Sequence, residues 1–159
     1  MRPGNVSALR TRFDASVRRR LTPFDMRSIQ SIDVELSLAA VTPRLVAALA
    51  LLEPHGAGNP EPTLLARGVR VEAARQVGDP TRPHMKMRLR ADGRTIPAIA
   101  FGMGHHPVNA GDRIDVVFTP RLTRWQDAER LELEVVAWRQ HEAEERLQPA
   151  GIEGEYSIP

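Results

Sequence analysis

The chain is 159 residues long, 42 % apolar and 26 % charged, which fits one folded domain with room for its own core. It has no cysteine, which excludes disulfides, thiolate nucleophiles and Cys-ligated zinc, and no apolar run nears the roughly 20 residues that span a bilayer. Net charge is only +2, yet every basic residue except Lys86 is arginine and the pI is 9.9, because arginine does not deprotonate in the accessible range.

The charge is unevenly placed. Residues 1–139 carry 21 basic against 15 acidic groups, a net of +6, while residues 140–159 carry one Arg against five Glu, a net of −4. A basic body points mildly to a polyanionic partner. The N-terminal stretch has arginines but no apolar segment, so no secretory signal is expected and the expected location is cytoplasmic, without membrane contact.

Residues 6–20 read as a helix. Val6, Leu9, Phe13 and Val17 recur at helical spacing, and Asn5 is placed to cap the first turn. Arg10, Arg12, Arg18, Arg19 and Arg20 line its other side; such a run is ordinarily a solvated face, with phosphate contact the minority reading. Pro23 ends the segment. Residues 31–38 alternate, with Ile32, Val34, Leu36 and Leu38 on one side and Asp33 and Glu35 on the other, the pattern of a half-buried strand. A second helix starts with Thr42 as cap and Pro43 at the first helical position, and carries a stripe of Leu45, Val46, Leu49 and Leu52. It stops near Pro54. Residues 55–62 cannot be helical: Gly56 and Gly58 permit a sharp turn, while Pro60 and Pro62 hold the chain extended.

From residue 63 the pattern is all-β. Strands are expected at residues 64–77, 84–90, 95–101, 113–119 and 131–138. Asp92-Gly93 between the second and third is a strong hairpin signal. A Gly/His/Pro-rich loop covers residues 102–111 and a polar loop residues 123–128. Five long strands in so short a stretch suit a small closed barrel better than an open sandwich. The tail from His141 is polar and acidic and is expected to be loosely ordered.

The segment His84-Met-Lys-Met-Arg-Leu-Arg90 carries the clearest chemistry. Met85, Met87 and Leu89 face one way, and His84, Lys86, Arg88 and Arg90 the other. Groups about 7 Å apart along one face suit the phosphates of an extended nucleic-acid strand. Any barrel has an outward polar face, but such faces usually mix signs and this strand carries no acid. The second candidate is the loop with Arg121, Arg124 and Trp125, where an exposed indole beside a guanidinium would give a base a stacking platform; the alternative is that Trp125 folds back to plug the barrel. His105-His106 is a weak metal candidate, because adjacent residues point apart and no third ligand sits at the right spacing. Asp112/Asp115 and Glu132/Glu134 read as solvated faces rather than acid–base pairs. No phosphate-cradling glycine loop, serine elbow or nucleotide fingerprint occurs, and no residue stands out as catalytic.

Leu52-Glu-Pro-His-Gly-Ala-Gly-Asn-Pro-Glu-Pro62 resembles a signature of the RecJ family, single-strand-specific 5′→3′ DNA exonucleases. His84-Met-Lys-Met-Arg-Leu-Arg90, Ala98-Ile-Ala-Phe-Gly102, Gly111-Asp-Arg-Ile-Asp-Val-Val-Phe118, Arg20-Leu-Thr-Pro and Ile32-Asp-Val-Glu-Leu36 are similar as well. His55 stands where the family usually has phenylalanine, and Asp127 where it tends to have glycine.

The resemblance implies a mainly β fold, a five-stranded OB-fold barrel preceded by two helices and a short strand. It implies the closing helix of the adjoining domain at residues 1–28, a strand–helix connector at 29–62, the barrel at 63–139 and a tail at 140–159. The family's manganese- or magnesium-dependent Asp-His-His domain, and its Gly-Gly-Gly-His motif, have no counterpart in this sequence, so the expectation is a chain that begins after them, with no cofactor and no hydrolysis of its own. The implied partner is single-stranded DNA, held by His84, Lys86, Arg88, Arg90, Arg121, Arg124 and Trp125. An alternative is a protein-interaction module that docks a separately encoded nuclease subunit through the apolar stripe of the first helix.

Overall fold

A computed structural model describes residues 3–20, 30–125 and 128–142. In chain order these form helix α1 (Pro3–Arg20), strand β1 (Val34–Glu35), a 3₁₀ turn (Leu38–Ala40), helix α2 (Pro43–Ala50), and strands β2 (Leu64–Val77), β3 (His84–Ala91), β4 (Arg94–Ala100), β5 (Arg113–Trp125) and β6 (Ala128–Gln140).

The five long strands pair in the order β2-β3-β4-β6-β5, and β5 returns to β2, so the sheet closes on itself. All pairings are antiparallel except β4–β6. This is the OB-fold barrel, with β1 added outside in parallel to the start of β2. Closure depends on β2, whose first half pairs with β5 and second half with β3. One strand serves both neighbours because it is bent twice, at Gly68 with φ +61° and at a bulge around Glu72. Asp92 and Gly93, both at positive φ, close the β3–β4 hairpin as their sequence signals.

Leu64, Val69, Val71, Met87, Leu89, Ile96, Ile114, Val116, Phe118 and Leu133 fill the barrel, joined by Leu38 and Val41 from the preceding segment. Arg94 fixes that segment by donating to the Val41 carbonyl at 2.7 Å. A smaller cluster lies on the outer side, where Leu65, Val117 and Ala137 share one row and are covered by Ile32.

Several expectations change. Residues 31–38 do not form one half-buried strand: only Val34 and Glu35 pair, both exposed, and Leu38 turns into the core from the 3₁₀ turn. The chain here serves two clusters, Ile32 outside and Leu36 with Leu38 within, which a flat strand cannot do. Asn5 lies within α1, which begins at Pro3. Thr42 does cap α2, accepting from the Leu45 N–H at 3.2 Å, but α2 ends at Ala50 and Leu52 is exposed. The connector folds on itself through a Gly56–Asn59 bridge, and the Asn59 amide donates to the carbonyls of Leu52 and Pro54. The expected polar loop at 123–128 is mostly strand, because Thr123, Arg124 and Trp125 pair with Arg130, Glu129 and Ala128. Gln140 belongs to β6 and His141 is fixed against Asp115; the tail beyond 142, Pro23, Gln126 and Asp127 lie outside the described residues.

Candidate nucleic-acid interface

The alternation along β3 is complete. Met85, Met87 and Leu89 are buried, and Lys86, Arg88 and Arg90 are exposed. Directly opposite residues on paired strands share a face, so the register extends this cationic face onto β2: Arg75 stands opposite Lys86 and Arg70 opposite Arg90. Arg70 also stands opposite Arg113 on β5. Arg90, Arg70 and Arg113 thus form one row across three strands. A groove of about 770 Å³ runs past it, lined by Arg70, Glu72, Arg90 and Gly111.

Glu72 qualifies the one-signed face expected from β3 alone. The bulge turns its carboxylate toward the arginines, where it pairs with Arg90 at 3.1 Å and Arg88 at 3.5 Å. The Arg90 hydrogen bond, with help from Thr95 and the charge of Arg88, holds this carboxyl below its ordinary range against a smaller opposing effect of desolvation. Among the described residues, Lys86, Arg75, Arg70 and Arg113 have no ion-pair partner. The face is therefore cationic with one internal counter-charge.

His84 ends the β3 row in a committed position. Its Nδ1 accepts from the Gly102 N–H at 2.9 Å, and its ring meets that of Phe101 edge-on, with centroids 5.2 Å apart. Gly78, at φ +90°, leaves it room: a Cβ there would stand 3.2 Å from the imidazole.

Arg121 and Arg124 are not part of the row that Arg90, Arg70 and Arg113 form. They lie on β5 beyond residues 113–118, the stretch that pairs with β2, and stand opposite Glu132 and Glu129 of β6. Arg121 makes two hydrogen bonds with the Glu61 carboxylate and donates to Glu134 at 3.0 Å. Glu61 foremost, then Glu134, raises the Arg121 pKa further, against a smaller effect of burial. This guanidinium ties the connector to the barrel. Arg124 is exposed and stands opposite Glu129. The backbone of Trp125 pairs with Ala128, but its side chain lies outside what is described.

Asp115 corrects the reading of the paired acids as solvated. It is 2 % exposed and is held by the Gly68 N–H at 3.0 Å, Arg139 at 3.2 Å, Arg67 at 3.4 Å and His141 Nδ1 at 2.7 Å. Burial of this charge is tolerated because it is surrounded by donors. His106 packs edge-on against Trp138 with centroids 5.8 Å apart, while His105 is exposed. Among the described residues no group of three His, Asp or Glu could hold a metal ion.

Arg70, Arg75 and Arg113 escaped the sequence reading. The two bends in β2 break its alternation, so inward and outward positions cannot be assigned by counting from one end. The signal available was the density of arginines in residues 67–75.

The RecJ OB domain family model matches residues 32–137. The chain is 25 % identical over 131 residues to the single-stranded-DNA-specific exonuclease RecJ of Bacillus subtilis, covering 81 % of this chain and 16 % of that protein. It is similar to crystal structures of RecJ from Thermus thermophilus with Mn2+ (TM-score 0.63) and with Mg2+ (TM-score 0.61). Both are 28 % identical over 90 % of this chain, and the match spans 20 % and 21 % of theirs. The chain therefore spans about a fifth or less of these relatives. The matched region runs from the segment that packs into the barrel through all of it except the last three residues of β6, and the chain belongs to the RecJ OB domain family.

Proposed function

We propose that this chain binds single-stranded DNA through the outward face of β3 and the adjoining part of β2. The observation that carries the reading is the register Lys86–Arg75 and Arg90–Arg70: like charges held opposite one another disfavour the bare protein, and a polyanion laid across them removes the repulsion. Lys86, Arg75, Arg88, Arg90, Arg70 and Arg113 are the phosphate contacts, with Glu72 the internal anion that DNA displaces from Arg88 and Arg90. Arg121 stands outside this surface because two carboxylates occupy it. Contacts of this kind neutralise phosphates without reading sequence, so log affinity falls linearly with log salt. The reading assigns binding to these residues and hydrolysis to none of them.

The test is fluorescence anisotropy of a labelled strand of about 20 nucleotides, repeated with duplex and at rising salt. Micromolar binding that prefers the single strand and weakens with salt supports the reading. Absence of binding at low salt overturns it.

A second reading, docking of a separately encoded nuclease subunit, is favoured by one observation. Val6, Leu9 and Phe13 on α1 are 55 %, 63 % and 66 % exposed, an apolar stripe without cover among the described residues. Copurification of a nuclease subunit that is lost with Leu9→Asp/Phe13→Asp supports it; a monomeric chain indifferent to that double change does not.

A further inference from the structure

The β3–β4 ladder has two columns of different chemistry on its outward face. Met85 pairs with Ala100, Met87 with Ala98 and Leu89 with Ile96, all inward and buried. The alternating rungs point outward: Lys86 beside Ile99, Arg88 beside Pro97 and Arg90 beside Thr95. The ring contact between His84 and Phe101 continues the series by one rung. One column, on β3, is basic. The other, with Pro97, Ile99 and Phe101, is apolar and uncharged.

Phe101 ends the apolar column and is 51 % exposed. The turn that carries it is fixed: Gly102 takes φ +72° and donates its N–H to His84, and the Arg82 Nε lies 3.4 Å from where a Cβ on Gly102 would stand. An aromatic ring thus sits half in solvent at the end of a row of cations, with a guanidinium against the glycine that follows it. Pro97 is accommodated because β4 pairs with β6 only at Ala98 and Ile99, so its missing N–H interrupts no ladder on that side.

We infer that the apolar column on β4 takes the bases of an unpaired strand whose phosphates follow β3, with Phe101 as a base-stacking platform. This rests on the single-strand reading above and adds which side of the strand faces which column. Rungs on one face recur about every 7 Å and neighbouring strands lie about 4.8 Å apart, so phosphate and base are received side by side, a sugar's width apart. The two columns act by different physics. Cations contribute through counterion release and set the salt slope; a stacked ring contributes through contact with the base and leaves that slope unchanged.

The experiment measures anisotropy of two labelled strands of about 20 nucleotides, the length used above, one of thymidine and one in which a central tract is abasic on an intact sugar–phosphate backbone. They are titrated against the unmodified chain, Phe101→Ala and Phe101→Tyr at several salt concentrations, with thermal unfolding recorded for each. Expected is a roughly tenfold loss of affinity for the thymidine strand in Phe101→Ala, no loss for the abasic strand, an unchanged salt slope, and recovery in Phe101→Tyr. Equal binding of both strands by the unmodified chain, or wild-type affinity in a folded Phe101→Ala, overturns the base column while leaving phosphate binding intact. Binding of neither strand overturns the single-strand reading and this inference together.

Discussion

Lys86 and Arg75 face each other across the β2–β3 ladder, so two cations share one rung and neither has an ion-pair partner among the described residues. A like-charged pair directly opposite is unfavourable by a few tenths of a kcal/mol. Lys86→Glu converts it into an attractive pair. The variant should therefore unfold at the same temperature or slightly higher while single-strand affinity falls about tenfold or more. For Lys86→Ala, the slope of log K against log salt should fall by about 0.7. Unchanged affinity in both variants would remove β3 from the interface.

Glu72 holds two of the cations that DNA would use. Glu72→Gln should release Arg88 and Arg90, tighten single-strand binding several-fold at low salt and steepen its salt dependence. The carboxyl is held below its usual 4.5, so it stays ionised at neutral and mildly acidic pH. Its stabilising contribution is present above the unfolded-state value and disappears only as pH falls through the lower, folded one. Affinity should accordingly show no Glu72-linked rise between about pH 5 and 8; titration of wild type beside Glu72→Gln checks this.

Arg121 bridges Glu61 and Glu134, and at 42 % side-chain exposure the pairs are partly screened. Arg121→Gln should lower stability by roughly 1 kcal/mol and leave the salt slope of DNA binding where it was. A reduced slope in a stable variant would return Arg121 to the contact surface.

Asp115 is a buried carboxylate between two guanidiniums, with the His141 imidazole and the Gly68 N–H also bonded to it. Asp115→Asn removes the charge that Arg67, Arg139 and His141 were placed to meet and should cost about 3–5 kcal/mol, read by urea unfolding. His141→Ala should cost less, about 1 kcal/mol, because two arginines and the Gly68 N–H remain. An Asp115→Asn variant as stable as wild type would mean that water already satisfies the cluster.

Gly104 is packed against Pro83, and a Cβ there would stand 2.6 Å from the Pro83 Cβ and 2.8 Å from its backbone carbonyl carbon. The Gly104 N–H also donates to the Pro83 carbonyl, so neither partner can give way cheaply. Gly104→Ala should destabilise by about 1–3 kcal/mol, seen as a lower Tm. Gly93→Ala is a control for strain alone, since its φ is +74° but nothing stands within 4 Å.

The barrel strands were legible because their signals are local. Period-two alternation places Met85, Met87 and Leu89 inward, Asp92-Gly93 turns by its own dihedral preference, and Thr42 caps α2 three residues from its partner. The connector signature also identified the family. The sequence could not reveal relationships that span the fold. The bulge that swings Glu72 onto Arg88 and Arg90, the pairing of Arg70 with both Arg90 and Arg113, and the capture of Arg121 by Glu61 sixty residues away exist only once β2 has bent and the sheet has closed. The same holds for Asp115, which reads as one of many surface acids until Arg67, Arg139 and His141 converge on it. Alternation fixes which side of a strand a residue occupies, because that depends on the pleat. Which charges meet there depends on strand order and register, and these are set by closure of the barrel around its core.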